Sequence, residues 1–382
     1  MRGRQSQIIR TCCLSLLLLA VQVIAAGQQR NPNPVLQGDY PDPSVIRVGS
    51  DYWATATTSE WAPEFPILHS RDLVNWTIVG AVFQQRPSWS TGNYWAPEIS
   101  TFGGRYYVYY VARKQNGPLC VAVATASRPS GPYRDHGPLV CQEVGSIDPV
   151  PISDERGVRY LLWKEDGNSR NQPTPIWAQR LSPDGTKLVG ERTELIRNTT
   201  SWEAQLVEGP FVMRRNNWFY LFYSGNACCG RECNYAFGVA RSRRLLGPWE
   251  KNPHNPILKG NETWKCPGHG SLVSDESGRD FLLYHAYEHK DFVYVGRQGL
   301  LDEVEWKNDW PIINAGRGPS ERARARSETF KDEFRTGLPG WQWPQANEPL
   351  VRARGGRLLL SPNAQDAANP IGAVFARQTT SG

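Results

Sequence analysis

Three carboxylates stand in short, proline-flanked settings: Asp42 in Pro41-Asp42-Pro43-Ser44, Asp148 in Ser146-Ile147-Asp148-Pro149, and Glu208 in Glu208-Gly209-Pro210. Prolines on both sides of Asp42 fix φ there and disfavour the helical region for the residue before each. Asp42 is therefore expected on a stiff, extended turn. Two carboxyl groups on opposite faces of a sugar ring, one protonated and one ionised, can hydrolyse an acetal. A third negative charge nearby raises the pKa of the group that must keep its proton. Oxygen-ligand metal loops instead concentrate their acids in one segment, and these acids lie far apart. The plain alternative is a turn carboxylate that accepts backbone N–H groups.

Recurrence favours the chemical alternative. Each acid opens a similar unit: a turn, a strand, a tight turn, a second aromatic strand, a third strand and a polar closing turn. The units open at Asp42, at Glu98 in Trp95-Ala96-Pro97-Glu98, at Asp148, at Glu208 and at His269 in Gly268-His269-Gly270, with spacings of 56, 50, 60 and 61 residues. Repeats somewhat longer than ~40–50 residues with three or four strands each suggest propeller blades. The predicted fold is all-β, a five-bladed β-propeller over residues 30–320, because no helical period runs beyond two turns. In such a ring each opening turn falls at the same end of an innermost strand. Residues distant in sequence then meet at one central opening.

The composition agrees. The 382-residue chain has 15 Trp, 15 Tyr and 12 Phe against 2 Met, with 35 Gly and 29 Pro, a balance suited to short strands and turns. Residues 1–26 read as a signal peptide. Arg2, Arg4 and Arg10 precede an apolar run from Cys12 to Ala26 that is too short to span a membrane comfortably, and small residues follow. Its removal lowers the formal charge from +6 to +3, and no Lys/Arg stripe suggests nucleic acid. A secreted protein, extracellular or periplasmic, is expected, with no membrane association after cleavage. Six cysteines remain, and an even number in an exported chain favours disulfides of undetermined connectivity. A metal site on Cys228, Cys229 and Cys233 lacks a supporting histidine cluster. After Asn314 the composition shifts to a linker, and residues 327–382 read as the start of a C-terminal, incomplete β-sandwich.

Taken together, Pro41-Asp42-Pro43-Ser44, Trp95-Ala96-Pro97-Glu98, Ser146-Ile147-Asp148-Pro149, Glu208-Gly209-Pro210 and Gly268-His269-Gly270 resemble glycoside hydrolase family 43 over roughly residues 33–315. That family holds β-xylosidases, α-L-arabinofuranosidases and arabinanases on a five-bladed propeller. The region from Phe330 resembles the start of the concanavalin-like sandwich that follows the propeller in many members. The resemblance implies Asp42 as general base, Glu208 as general acid and Asp148 as the group that tunes and orients Glu208. It implies inversion, for which ~6.5–9.5 Å between base and acid admits a water. His269 matches an axial histidine that in some members ligands calcium or orients the base, so a structural calcium near His269 is expected without any required cofactor. Arg297 matches an arginine that contacts sugar hydroxyls in some members. Glu98 departs from the Asp that many members carry there.

Trp53, Trp95 and Trp163 are candidate walls of the sugar pocket, since aromatic faces cover the apolar face of a pyranose or furanose. The expected partner is a xylan- or arabinan-type oligosaccharide or polysaccharide, and the expected activity is exo-acting hydrolysis. An endo-arabinanase, a retaining invertase-type propeller and a non-catalytic carbohydrate-binding propeller are the competing readings.

Overall fold

The computed structural model describes residues 33–290, 295–321, 332–335, 338, 340–347, 350–361 and 376–377. The expected signal peptide, residues 1–26, lies outside them.

Five four-stranded antiparallel sheets follow one another along the chain. Blade I comprises Ser44–Val48, Asp51–Thr55, Glu64–Ser70 and Thr77–Phe83, and blade II comprises Trp95–Phe102, Arg105–Arg113, Leu119–Ala126 and Arg134–Val140. Blade III comprises Ser146–Ser153, Arg159–Glu165, Ile176–Leu181 and Leu188–Ile196. Val207–Arg215, Trp218–Gly225, Ala236–Ser242 and Glu250–Lys251 make blade IV; Trp264–Ser274, Asp280–Glu288, Arg297–Lys307 and Trp310–Ile313 make blade V. First strands of successive blades lie side by side around the whole ring, and that of blade V returns to that of blade I. A stretch before blade I latches the closure, with Leu36 bridging Gly299 and the Leu301 N–H donating to Asn33 Oδ1 at 2.8 Å.

Local chemistry makes the hairpins. Phe102 and Arg105 flank Gly103-Gly104, both at positive φ (58° and 72°), which gives the two-residue turn whose twist matches that of the strands. Asn216-Asn217 and Asn308-Asp309 do the same in blades IV and V, where short polar side chains tolerate the left-handed region. Between blades the aromatic and β-branched faces interlock. One buried cluster fills each of the five seams: for example Phe65, Tyr94 and Tyr110 between blades I and II, and Tyr109, Val121 and Trp163 between II and III. Burying each such side chain contributes on the order of 1.5–3 kcal/mol. The seams therefore hold the ring rigid around its axis.

Because the strands alternate in direction, the start of each first strand shares one end of the ring with the loop between the second and third strands. All six paired cysteines sit at that end. Cys120 is joined to Cys141, Cys228 to its neighbour Cys229, and Cys233 to Cys266. The cysteines of the blade IV loop are thus disulfides, which disposes of the metal alternative there.

Within 327–382 the described residues form Trp341–Pro344 and a hairpin of Leu350–Arg354 with Arg357–Ser361. Trp341–Pro344 pairs with Trp61–Ala62 of an excursion in blade I and with Ala376–Arg377.

Candidate active site

The ring gathers Asp42, Asp148, Glu208 and His269 as expected, but the equivalent positions differ from those the spacing picks out. In every blade a residue at the site end of the first strand adopts positive φ: Asp42 (52°), Ala96 (44°), Asp148 (57°), Gly209 (57°) and His269 (34°), with Cys266 (54°) a second in blade V. The first four precede proline. Asp42 is thus left-handed, not extended, and this backbone costs on the order of 1–3 kcal/mol at each non-glycine position, a strain that clusters at functional sites. Glu208 lies one residue before this kink and Glu98 two after it, so the acid-per-blade register was wrong in two blades. Gly209 has a second reason to be glycine: a Cβ there would lie 2.9 Å from Cγ of His269.

Asp42 is buried and held from four sides. Thr57 Oγ1 donates to its Oδ2 at 2.6 Å, and Thr57 is itself fixed by the Ala96 N–H at 2.7 Å. Arg297 Nη1 and His269 Nδ1 each lie 3.4 Å from Oδ1. The Asp42 N–H donates to Nδ1 of His285 at 3.0 Å. Burial alone would raise the Asp42 pKa, but Arg297 and then His269 outweigh it and hold the carboxyl well below its usual range. His285 is fully buried, and burial together with Arg297 holds it neutral, with its proton on Nε2. Burial opposes a charge on His269 too, yet Asp148 and Asp42 raise its pKa to about 9.

Asp148 behaves oppositely. Its Oδ2 accepts the Gly209 N–H at 2.8 Å, while burial and the nearby Glu208 push its carboxyl up to about 6 against the pull of His269. Glu208, in register with Ser224, is buried and takes a 2.6 Å bond from Nζ of Lys164 at Oε2. Lys164 has no exposed side-chain surface and also donates to Asp166 Oδ1 and Asn168 Oδ1, both at 2.8 Å. Tyr235 lies against the same carboxylates; burial and then Glu208, Asp148 and Asp42 keep its phenol protonated. Glu98, half-buried beside Ser44 and His269, is pushed up to about 8 by burial. The site thus holds an ionised carboxylate, Asp42, together with two carboxyls raised by burial, those of Asp148 and Glu98.

Arg297 reaches the site through Asp42. The tryptophans divide. Trp95, half-buried and packed against the seam between blades II and III, keeps exposed surface next to the kinked Ala96. Trp163 does not: it has no exposed surface, fills the seam between blades II and III and donates to Gln142 Oε1 at 2.7 Å. Trp53 is half-buried and packs against the seam between blades I and II, its ring 4.7 Å from that of His69. Trp163 lies on a second strand that is covered on both faces at this point.

Sequence reasoning missed Lys164, His285, Thr57 and Tyr235. Lys164 and His285 carried a signal, as a cation and an imidazole directly after the apolar runs Leu161-Leu162-Trp163 and Leu282-Leu283-Tyr284. Among the described residues no group of three or more His, Cys, Asp or Glu suited to a metal occurs.

The description "Glycosyl hydrolases family 43" matches residues 31–311. Xylosidase/arabinosidase 43B of Humicola insolens is 31% identical over 86% of this chain and 65% of its own length. A xylan 1,3-beta-xylosidase of Vibrio sp is 29% identical, over 82% and 61%. The chain therefore spans about three fifths of the length of these curated relatives. Among solved structures, the GH43 protein BlXynB of Bacillus licheniformis superposes with a TM-score of 0.75 at 28% identity, covering 92% of this chain and 72% of that one. With its five blades and this match over most of its length, the chain belongs to glycosyl hydrolases family 43.

Proposed function

We propose that the protein is an exported, inverting, exo-acting glycoside hydrolase that releases xylose or arabinofuranose from xylo- or arabino-oligosaccharides. The sugar class rests on what the relatives are called, xylosidase and arabinosidase. Export is supported by the basic and apolar character of residues 1–26 and by three disulfides.

Asp42 is the base. Its Oδ1 and Oδ2 are fixed by Arg297, His269 and Thr57, and it stays ionised at any working pH. It takes a proton from a water as that water's oxygen bonds to the anomeric carbon from the face opposite the leaving group. Glu208 gives its proton to the departing glycosidic oxygen. Asp148, against the Gly209 N–H, sets the charge that Glu208 feels. Two carboxyl groups with opposite proton preferences are what the single displacement needs. The observation that carries this reading is the gathering of three carboxyls from three blades, with Asp42 fixed by Arg297 and Thr57, Asp148 accepting the Gly209 N–H and Glu208 held by Lys164.

Aryl xyloside and aryl arabinofuranoside test it directly. Asp42→Ala and Glu208→Ala should each lower kcat by orders of magnitude with an unchanged fold, and NMR of the first-formed anomer should show inversion. Near-normal turnover in either variant ends the assignment. Binding without release of aglycone would instead identify a carbohydrate-binding propeller.

A further inference from the structure

We propose that Lys164 is a positioning residue for the acid: it holds Oε2 of Glu208, so that Oε1 is the oxygen that carries the transferred proton. The inference rests on Glu208 being the acid. An ammonium has three donors, and those of Lys164 go to Glu208 Oε2 at 2.6 Å, Asp166 Oδ1 at 2.8 Å and Asn168 Oδ1 at 2.8 Å. With all three engaged and no exposed surface, the Lys164 head has one orientation. Asn168 belongs to a short 3-10 turn, Gly167–Arg170, directly after the second strand of blade III. That turn aims the ammonium across the seam at blade IV. A core lysine that served packing alone would not meet the carboxylate on which protonation of the leaving group depends.

The arrangement also has an electrostatic consequence. The carboxyl pair Asp148 and Glu208 faces Lys164 and Asp166 from blade III, Tyr235 from the blade IV loop, His269 from blade V and Asp42 from blade I. Lys164 is held charged: burial opposes the charge, but Glu208, Asp166 and Asp148 outweigh it. It lowers the proton affinity of Asp148, whereas the carboxylate of Asp166 shields it.

The test is the pH dependence of kcat/KM, measured on a substrate with a poor leaving group and on a dinitrophenyl glycoside whose leaving group departs unprotonated. Lys164→Met should move the alkaline limb up by about 1–3 pH units, the effect of an opposite charge at this range. It should also lower kcat on the poor leaving group while sparing the dinitrophenyl substrate. Asp166→Asn, with a partly exposed side chain, decides the matter where Lys164→Met does not fold, and it should move the same limb down. An unmoved alkaline limb in the folded variants, or equal loss on both substrates, overturns the role of Lys164. Glu208→Gln is the control for the underlying reading. If it fails to spare the dinitrophenyl substrate, Glu208 is not the acid and the proposal falls with that reading; if it spares it, the Lys164 result stands alone.

Discussion

Asp148→Asn should stabilise the folded protein at neutral pH while slowing catalysis, and the gain should fade in acid. In the folded state burial, and after it Glu208, raise the Asp148 carboxyl from 3.8 to about 6. Its unfolded counterpart titrates near the ordinary value. Between these limits the folded state binds more protons than the unfolded one, so stability falls as pH rises through the window. The group thus favours folding below about 4, and that advantage is lost by about pH 7. At about 1.4 kcal/mol per pH unit, this shift corresponds to about 3 kcal/mol against the folded state at neutral pH. Asparagine keeps an oxygen to accept the Gly209 N–H and cannot ionise, so the variant should recover a large part of that energy. Urea unfolding at pH 4, 5, 6 and 7.5 would measure it. The expected difference between variant and parent is under about 1 kcal/mol at pH 4 and grows towards about 3 kcal/mol at pH 7.5. In kinetics the same variant should lower kcat and move the alkaline limb of kcat/KM down, because Glu208 loses a negative neighbour. A variant that is less stable than its parent by the same amount at every pH would refute the account of Asp148 as an ionised group held against burial.

Gly209→Ala should cost on the order of 1–2 kcal/mol for its left-handed backbone alone, and should also displace His269; thermal unfolding and kcat together check this, and a silent substitution would contradict the close approach. Removing the Cys233–Cys266 bond by a double alanine substitution should lower stability by about 3–4 kcal/mol in the chain-entropy account for a separation of 33 residues, read by urea midpoint against a control with Cys120–Cys141 intact. Trp95→Ala should raise KM about fivefold, the worth of one aromatic face. Trp163→Phe should leave KM alone and lower the melting temperature, and the reverse pattern would put Trp163 back at the pocket.

The five-fold recurrence was legible because each blade repeats the same order of turn, aromatic strand and closing turn, and patterns of that kind need no knowledge of distant contacts. Asp42, Asp148 and Glu208 were legible for a related reason: proline fixes the neighbouring backbone wherever it occurs. The signal was nonetheless misphased. Ala96 and Gly209 occupy the kinked position in blades II and IV, whereas the acids in those blades stand two residues after it (Glu98) and one before it (Glu208). The residue before proline, common to four of the five kinks, is the marker that was in plain view.

Lys164, His285 and Trp163 show the opposite case. All three lie on second strands whose two faces are both covered, so no alternation of polar and apolar residues tells which side chain faces the axis and which faces a seam. Sequence by itself determined the all-β class, the number of blades and the neighbourhood of the blade openings, because those follow from local backbone preference and its repetition. Only the closed ring decided which of those groups are charged. The raised pKa of Asp148, the ionised Asp42 and the three partners of Lys164 depend on burial and on neighbours that the fold brings together, and such distances do not exist until the ring closes.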